Sequence, residues 1–214
     1  DLVRSRGLGD VYKRQLPSQY INGITSRSLS RFILGLIPRT IKYLKYSFIK
    51  KIAISKGAQI GEYSIIPFSL AKKANKNLVI GKHSIISTSN FSSFRYPITI
   101  KDNVIIGKNA KLVLGGHNID SPHFEHCRNS PPLIIEDYVW ICPDSVILPS
   151  CSHIGKGAVI GANAVVTKDV PEFSIMSGNP AKEIRKRKET HHELVTESEL
   201  SGDFKSYIYA RKQK

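Results

Sequence analysis

The sequence predicts a parallel β-helix, and three observations carry that prediction. Aliphatic residues recur in steps of six through Ile135, Ile141 and Ile147, and again, after one extra residue, through Ile154, Ile160 and Val166. A small or β-branched residue stands four places after each of the first five: Val139, Ser145, Cys151, Ala158 and Ala164. The same pairing recurs upstream in Ile54 with Ala58, Ile60 with Ser64, Ile80 with Ser84, Ile100 with Val104, and Ile106 with Ala110. A helix repeats its apolar residues every three or four positions and a half-buried strand every second, so neither alone gives six. A six-residue step fits a coil with one short strand per flat side, an aliphatic residue pointing inward and a turn at each corner. Three steps close one triangular turn, and stacked turns share a continuous core. Gly61, Gly81, Gly107, Gly155 and Gly161 follow their isoleucines directly and are read as corners whose backbone a Cβ disfavours.

Composition limits the partners. The 214 residues carry 32 Lys and Arg against 17 Asp and Glu, a net charge of +15. That length allows one sizeable domain with terminal extensions. A basic chain suits phosphorylated ligands or an anionic membrane surface; no nucleic-acid partner is expected. The charge is uneven, with no Asp or Glu from Val11 to Gly61. Cys127, Cys142 and Cys151 form an odd set without CxxC spacing, so neither a disulfide framework nor a bound metal is expected. No secretory leader and no apolar run of membrane-spanning length is evident, which predicts a cytoplasmic chain with reduced thiols, peripheral on the inner face of the membrane at most.

In chain order, residues 1–27 read as a leader. Asp1 to Gln15 has no periodicity and reads either as translated adapter sequence or as a flexible N-terminal segment. Residues 28–52 read as a basic amphipathic helix: Ile33, Ile37, Ile41, Leu44, Phe48 and Ile52 keep helical spacing beside Arg39, Lys42, Lys45, Lys50 and Lys51. Two roles fit it, a cap on the open first coil, which is the favoured one, and a membrane-surface helix. Residues 53–176 are the coil, interrupted by a lysine-rich loop from Ala71 to Asn77 and by a segment carrying Phe91, Phe94 and Tyr96. Those rings suit either sugar stacking or a subunit contact. Residues 118–133 are an excursion holding Asp120, His123, Glu125, His126 and Arg128. Val170 to Asn179 leaves the last coil through turns. Residues 177–214 are a charged, partly helical tail in which Thr196 and Glu199 suit a capping box.

Chemistry centres on Leu114-Gly115-Gly116-His117-Asn118, at the end of a coil. An imidazole of pKa about 6.5 suits proton transfer near neutrality, so His117 is the candidate general base. Val139-Trp140-Ile141, Ile147-Leu148-Pro149, Ile154 to Ala162, Val165 to Pro171 and Gly178 to Lys182 resemble the hexapeptide-repeat acyltransferases. The branch they are most similar to contains the maltose, galactoside and polysaccharide O-acetyltransferases. The resemblance runs from about Ile54 to Arg187. It implies a left-handed coil, a homotrimer with active sites at subunit interfaces, and acetyl-CoA as donor. It implies His117 as general base. Asp120 or Glu125 could orient its ring as an acid partner does in a catalytic dyad, or the excursion could serve only trimer contacts. It also implies Trp140, Ala162, Thr167, Lys168, Lys182 and Arg185 around coenzyme A, the cations serving its phosphates. A saccharide hydroxyl is the expected acceptor, lipid-linked or free, in capsule, O-antigen or exopolysaccharide synthesis.

Three departures stand against the family pattern. Pro143 replaces a residue whose amide is a candidate oxyanion donor, and proline has no N–H. The Cys151-Ser152-His153-Ile154 segment holds one residue more than the commonest spacing. Arg95 lies about where the galactoside branch has an acceptor-binding carboxylate. Two other functions therefore stay open. One is a γ-type carbonic anhydrase, for which His83, His117 and His123 are the candidate zinc ligands. The other is a scaffold with weakened catalysis.

Overall fold

The computed structural model describes residues 18–118, 120–126, 130–188 and 204–213. The described residues between 48 and 190 form one unit, the end of a helix followed by the coil. Its first face is the parallel sheet of Gln59–Ile60, Leu78–Ile80, Ile98–Ile100, Leu133–Ile135 and His153–Ile154. The second face stacks Ile85–Ile86, Ile105–Ile106, Trp140–Ile141, Val159–Ile160 and Ser174–Ser177. Lys111–Leu112, Val146–Ile147 and Val165–Val166 make the third.

The register explains the six-residue step. Ile60, Ile80, Ile100, Ile135 and Ile154 align up the first face. Ile86, Ile106, Ile141 and Ile160 align up the second, and Leu112, Ile147 and Val166 up the third. All are buried. Each such side chain contributes roughly 1.5–3 kcal/mol on leaving water, so three stacked columns supply the driving force that short strands lack. Small residues fill the inner corners: Val104, Ala110, Val139, Ala158 and Ala164 are fully buried. One corner carries a hydroxyl ladder. Ser64 Oγ donates to the Gly81 carbonyl at 2.5 Å and accepts from the Ser84 amide at 2.9 Å. Ser84 Oγ donates to the Lys101 carbonyl at 2.8 Å and accepts from the Val104 amide at 3.0 Å.

The glycines serve a different purpose from the one their position suggested. Gly61, Gly81, Gly107, Gly155 and Gly161 do not have positive φ; the left-handed residues come two places later. Tyr63, His83, Asn103, Tyr138, Gly157 and Phe173 turn one corner, and Asn109, Asp144 and Asn163 another. The glycines are required by close approach between coils. A Cβ on Gly107 would stand 2.6 Å from the Pro143 nitrogen, and one on Gly155 would stand 2.5 Å from the Glu172 amide nitrogen.

Other expectations change in detail. Ile54 is not the first inward residue, because it ends a helix and is 45% exposed. The lysine-rich loop begins inside a short helix, Phe68–Lys73, which buries Leu70 and Ala71. Phe91 and Phe94 stack on each other at 5.3 Å inside the core, so they serve neither sugar stacking nor a subunit contact. Ser174–Ser177, expected as exit turns, is a further strand of the second face. Lys182–Lys186, expected in the tail, returns antiparallel beside it.

The other unit comprises residues 1–47 and 191–214. Helix α1 (Ser18–Thr25) falls within the expected leader. Helix α2 (Leu29–Ser55) matches the expected amphipathic segment and continues through Pro38 into the coil unit. There Ile49 and Ala53 are buried and Lys50 Nζ donates to the Gly61 carbonyl at 2.6 Å, so the last turns of α2 pack onto the coil. Helix α3 is the short Phe68–Lys73 segment, and α4 (Phe204–Arg211) comes from the tail. Tyr207 of α4 is fully buried, stacked on Phe32 at 4.8 Å, with the Arg39 guanidinium 3.9 Å above its ring. Thr196 and Glu199, and residues 1–15, lie outside the described residues.

Candidate active site

The outward side chains of the second face alternate with its buried isoleucines, because a strand sends successive residues to opposite sides. Trp140, Val159 and Ile175 are therefore aligned on the outside. The antiparallel return strand sets Arg185, Arg187 and Lys188 beside them. Together the six line a groove of about 510 Å³. Trp140 is 47% exposed, a large area for an indole. Arg187 is held at the rim by hydrogen bonds of 3.3 Å to the carbonyls of Tyr138 and Gly157. The result is an apolar floor with a cationic wall, suited to a ligand that is thin and apolar at one end and phosphorylated at the other.

The predicted donor residues divide. Trp140 and Arg185 are in the groove. Ala162 is at the corner between second and third faces, and the register sets it beside Pro143 one coil below. Among the described residues the Ala162 amide has no hydrogen-bond acceptor. Thr167 and Lys168 follow the last strand of the third face. Lys182 begins the return strand, exposed and outside the groove lining. Arg187 and Lys188 were missed by sequence reasoning. The charged run after Lys182 was visible, but its return as a strand was not, since a mostly basic run with Ile184 as its one apolar residue carries no strand periodicity.

His117 sits on a small hairpin. It forms an antiparallel bridge with His126, and the Asn118 amide donates to the Glu125 carbonyl at 2.7 Å. The imidazole rings of His117 and His126 lie 4.2 Å apart, tilted by 33°. His117 Nδ1 is paired with the Phe124 carbonyl. A carbonyl can only accept, so Nδ1 carries the proton and Nε2 keeps its lone pair. The ring is thus oriented by a backbone oxygen rather than by Asp120 or Glu125. Among the described residues no three His, Cys, Asp or Glu stand together as a metal site.

Chain order separates the two parts of the site. The hairpin leaves after Lys111–Leu112 of the third face and returns into Leu133–Ile135 of the first. That corner lies across the triangle from the second face, so His117 and Trp140 of one chain are on opposite sides of the coil.

Galactoside O-acetyltransferase of Escherichia coli (strain K12) is 33% identical over 132 residues, 60% of this chain and 63% of its own. The protein assigned to colanic acid biosynthesis as an acetyltransferase in the same organism is 31% identical over 134 residues, 63% of this chain and 72% of its own. The chain belongs to the hexapeptide-repeat acetyltransferases. A hexapeptide-repeat-containing acetyltransferase of Vibrio cholerae shares the fold, with TM-score 0.55 and 26% identity over 85% of this chain and 100% of its own. Chloramphenicol acetyltransferases are also among the relatives of this hexapeptide-repeat chain. No family profile matches it. The chain spans less than two thirds of some curated relatives, 63% of the galactoside enzyme and 43% of another.

Proposed function

We propose that the protein is an acetyl-CoA-dependent O-acetyltransferase that assembles as a trimer of left-handed coils and acetylates a saccharide hydroxyl in capsule, O-antigen or exopolysaccharide synthesis. The observation that carries the reading is the groove of Trp140, Val159 and Ile175 beneath Arg185, Arg187 and Lys188. Its apolar floor suits a pantetheine arm and its cations suit a nucleotide phosphate. The Vibrio relative has also been solved with acetyl coenzyme A, and the colanic acid relative supports a polysaccharide acceptor.

His117 Nε2 of one copy accepts the acceptor's hydroxyl proton as the oxygen attacks the thioester carbonyl held in the groove of the next. The tetrahedral adduct collapses, the C–S bond breaks, and the imidazolium returns its proton to the departing thiolate. No acyl-enzyme forms. Pro143 cannot donate to the developing oxyanion, and losing such a donor costs roughly 10²–10³ in rate. The Ala162 amide, free and one coil away, takes that role.

The test is thiol release from acetyl-CoA with a panel of sugars and sugar nucleotides, with chloramphenicol as a second acceptor class. His117→Ala is expected to lose at least about a hundredfold in kcat while retaining coenzyme A binding by calorimetry. Unchanged turnover in that variant removes His117 as the base. Bound zinc by metal analysis, with CO2 hydration and no thiol release, would favour the carbonic anhydrase reading instead.

A further inference from the structure

We propose that the exposed apolar side of helix α2 is a docking surface for an anionic membrane. Leu29, Ile33, Leu34, Ile37, Ile41 and Leu44 are each 51–66% exposed. At 3.6 residues per turn they fall on one side of the helix. The opposite side is occupied, because Phe32 and Tyr43 stack on Tyr207 and Phe204 of α4. The helix therefore has a packing partner already, and the stripe is surplus to it. Scattered exposed leucines are ordinary, but six contiguous large aliphatics on one helix side are the kind of patch that marks an interaction site.

Charge selects the occupant. Continuing around the helix from Leu34, the next exposed residues are Lys45, Pro38, Arg31 and Lys42, three of them cationic. From Ser18 to Lys56 there are eight Lys and Arg and no Asp or Glu. A second copy of the same surface would bring like charges together over the apolar contact, whereas anionic headgroups neutralise them. The helix is long, at 27 residues, yet no helix among the described residues is apolar enough to cross a bilayer. A long helix with an aliphatic side and a basic margin lies in the interface plane rather than through it. This inference does not depend on the acetyl-transfer reading, and its assay does not use activity.

The probe is sedimentation of the full chain with phosphatidylcholine vesicles, with and without phosphatidylglycerol. Binding is expected only with the anionic lipid and should weaken as salt rises. The paired substitution Ile37→Ser with Ile41→Ser should weaken binding by about tenfold or more through lost apolar burial. Lys42→Glu with Lys45→Glu should do the same through charge. All four residues are exposed, and an unchanged thermal midpoint verifies that each variant folds. Absence of binding to anionic vesicles, or equal binding by the isoleucine variant, overturns the proposal. So does sedimentation velocity showing that the isoleucine substitutions break up an oligomer without lipid, which would make the stripe a subunit contact.

Discussion

Ser84 shows how a single hydroxyl can hold two coils in register. It is fully buried, donates to Lys101 and accepts from Val104. Ser84→Ala leaves the buried Val104 amide and the partly buried Lys101 carbonyl without this partner, which should lower stability by about 1–3 kcal/mol. Chemical denaturation measures it, and Ser84→Thr, which keeps the hydroxyl, should lose less if the corner admits a methyl. Glu136 makes a second prediction. Burial alone would raise its carboxyl, but hydrogen bonds from Lys101 (2.7 Å) and His153 (3.4 Å) outweigh that and hold it below the usual range. A depressed carboxylate contributes stability that is present above its unfolded pKa and lost as pH falls through its folded one. Lys101, raised by the same hydrogen bond, contributes below the ordinary lysine range and stops contributing as pH rises through its folded value. Glu136→Gln should therefore flatten the acid limb of the stability–pH curve, read by thermal unfolding across acidic pH. The aliphatic columns were legible in the sequence because Ile135, Ile141 and Ile147 must each reappear on the next face. The left-handed corners were not. Tyr63, His83, Tyr138 and Phe173 adopt positive φ, a conformation their side chains do not advertise. Gly61 and Gly107 looked like the corner residues but answer to the coil above them.

At the scale of elements, helix α2 was legible from its stripe, and α4 was not placed, because a contact between Phe32 and Tyr207 leaves no local trace. Gly35 is where the two helices meet. A Cβ there would stand 3.0 Å from Tyr207 Cζ and closer still to the hydroxyl. Tyr207 has little room to yield, since its hydroxyl donates to the Phe32 carbonyl at 3.2 Å and Arg39 covers its ring. Gly35→Ala should gain about 1 kcal/mol of helix propensity and lose about 1–3 kcal/mol to overpacking. The expected outcome is a net loss, with α4 released first. Limited proteolysis near Phe204 should speed up in the variant, and Gly35→Ala combined with Tyr207→Phe should recover part of the loss. The site was legible in the same uneven way. Trp140 stands out as the single tryptophan in an isoleucine ladder. Arg187 became a groove residue only through the antiparallel pairing of Ser174 with Lys186 and Ile175 with Arg185, which a run of basic residues cannot announce.

At the scale of the molecule, a three-sided coil cannot bring a corner to its own opposite face. His117 leaves between the third and first faces while Trp140 projects from the second, so a site that uses both needs two copies. Complementation reads that requirement directly. On the proposed trimer and mechanism, His117→Ala removes the base and Trp140→Ala removes part of the groove floor, so each homo-oligomer should be nearly inactive. When the two are unfolded together and refolded as a mixture, a trimer holding both kinds of chain contains an interface where the intact His117 of one copy meets the intact Trp140 of the next. Activity should then reappear, rising to a maximum near equal proportions. A site contained in one chain gives no such recovery, because every chain in the mixture carries a lesion. Recovery at equal proportions, with none on mixing the folded variants without exchange, would tie the chemistry to the interface. A flat response would confine it to one coil and set aside both the trimeric site and the role given to His117.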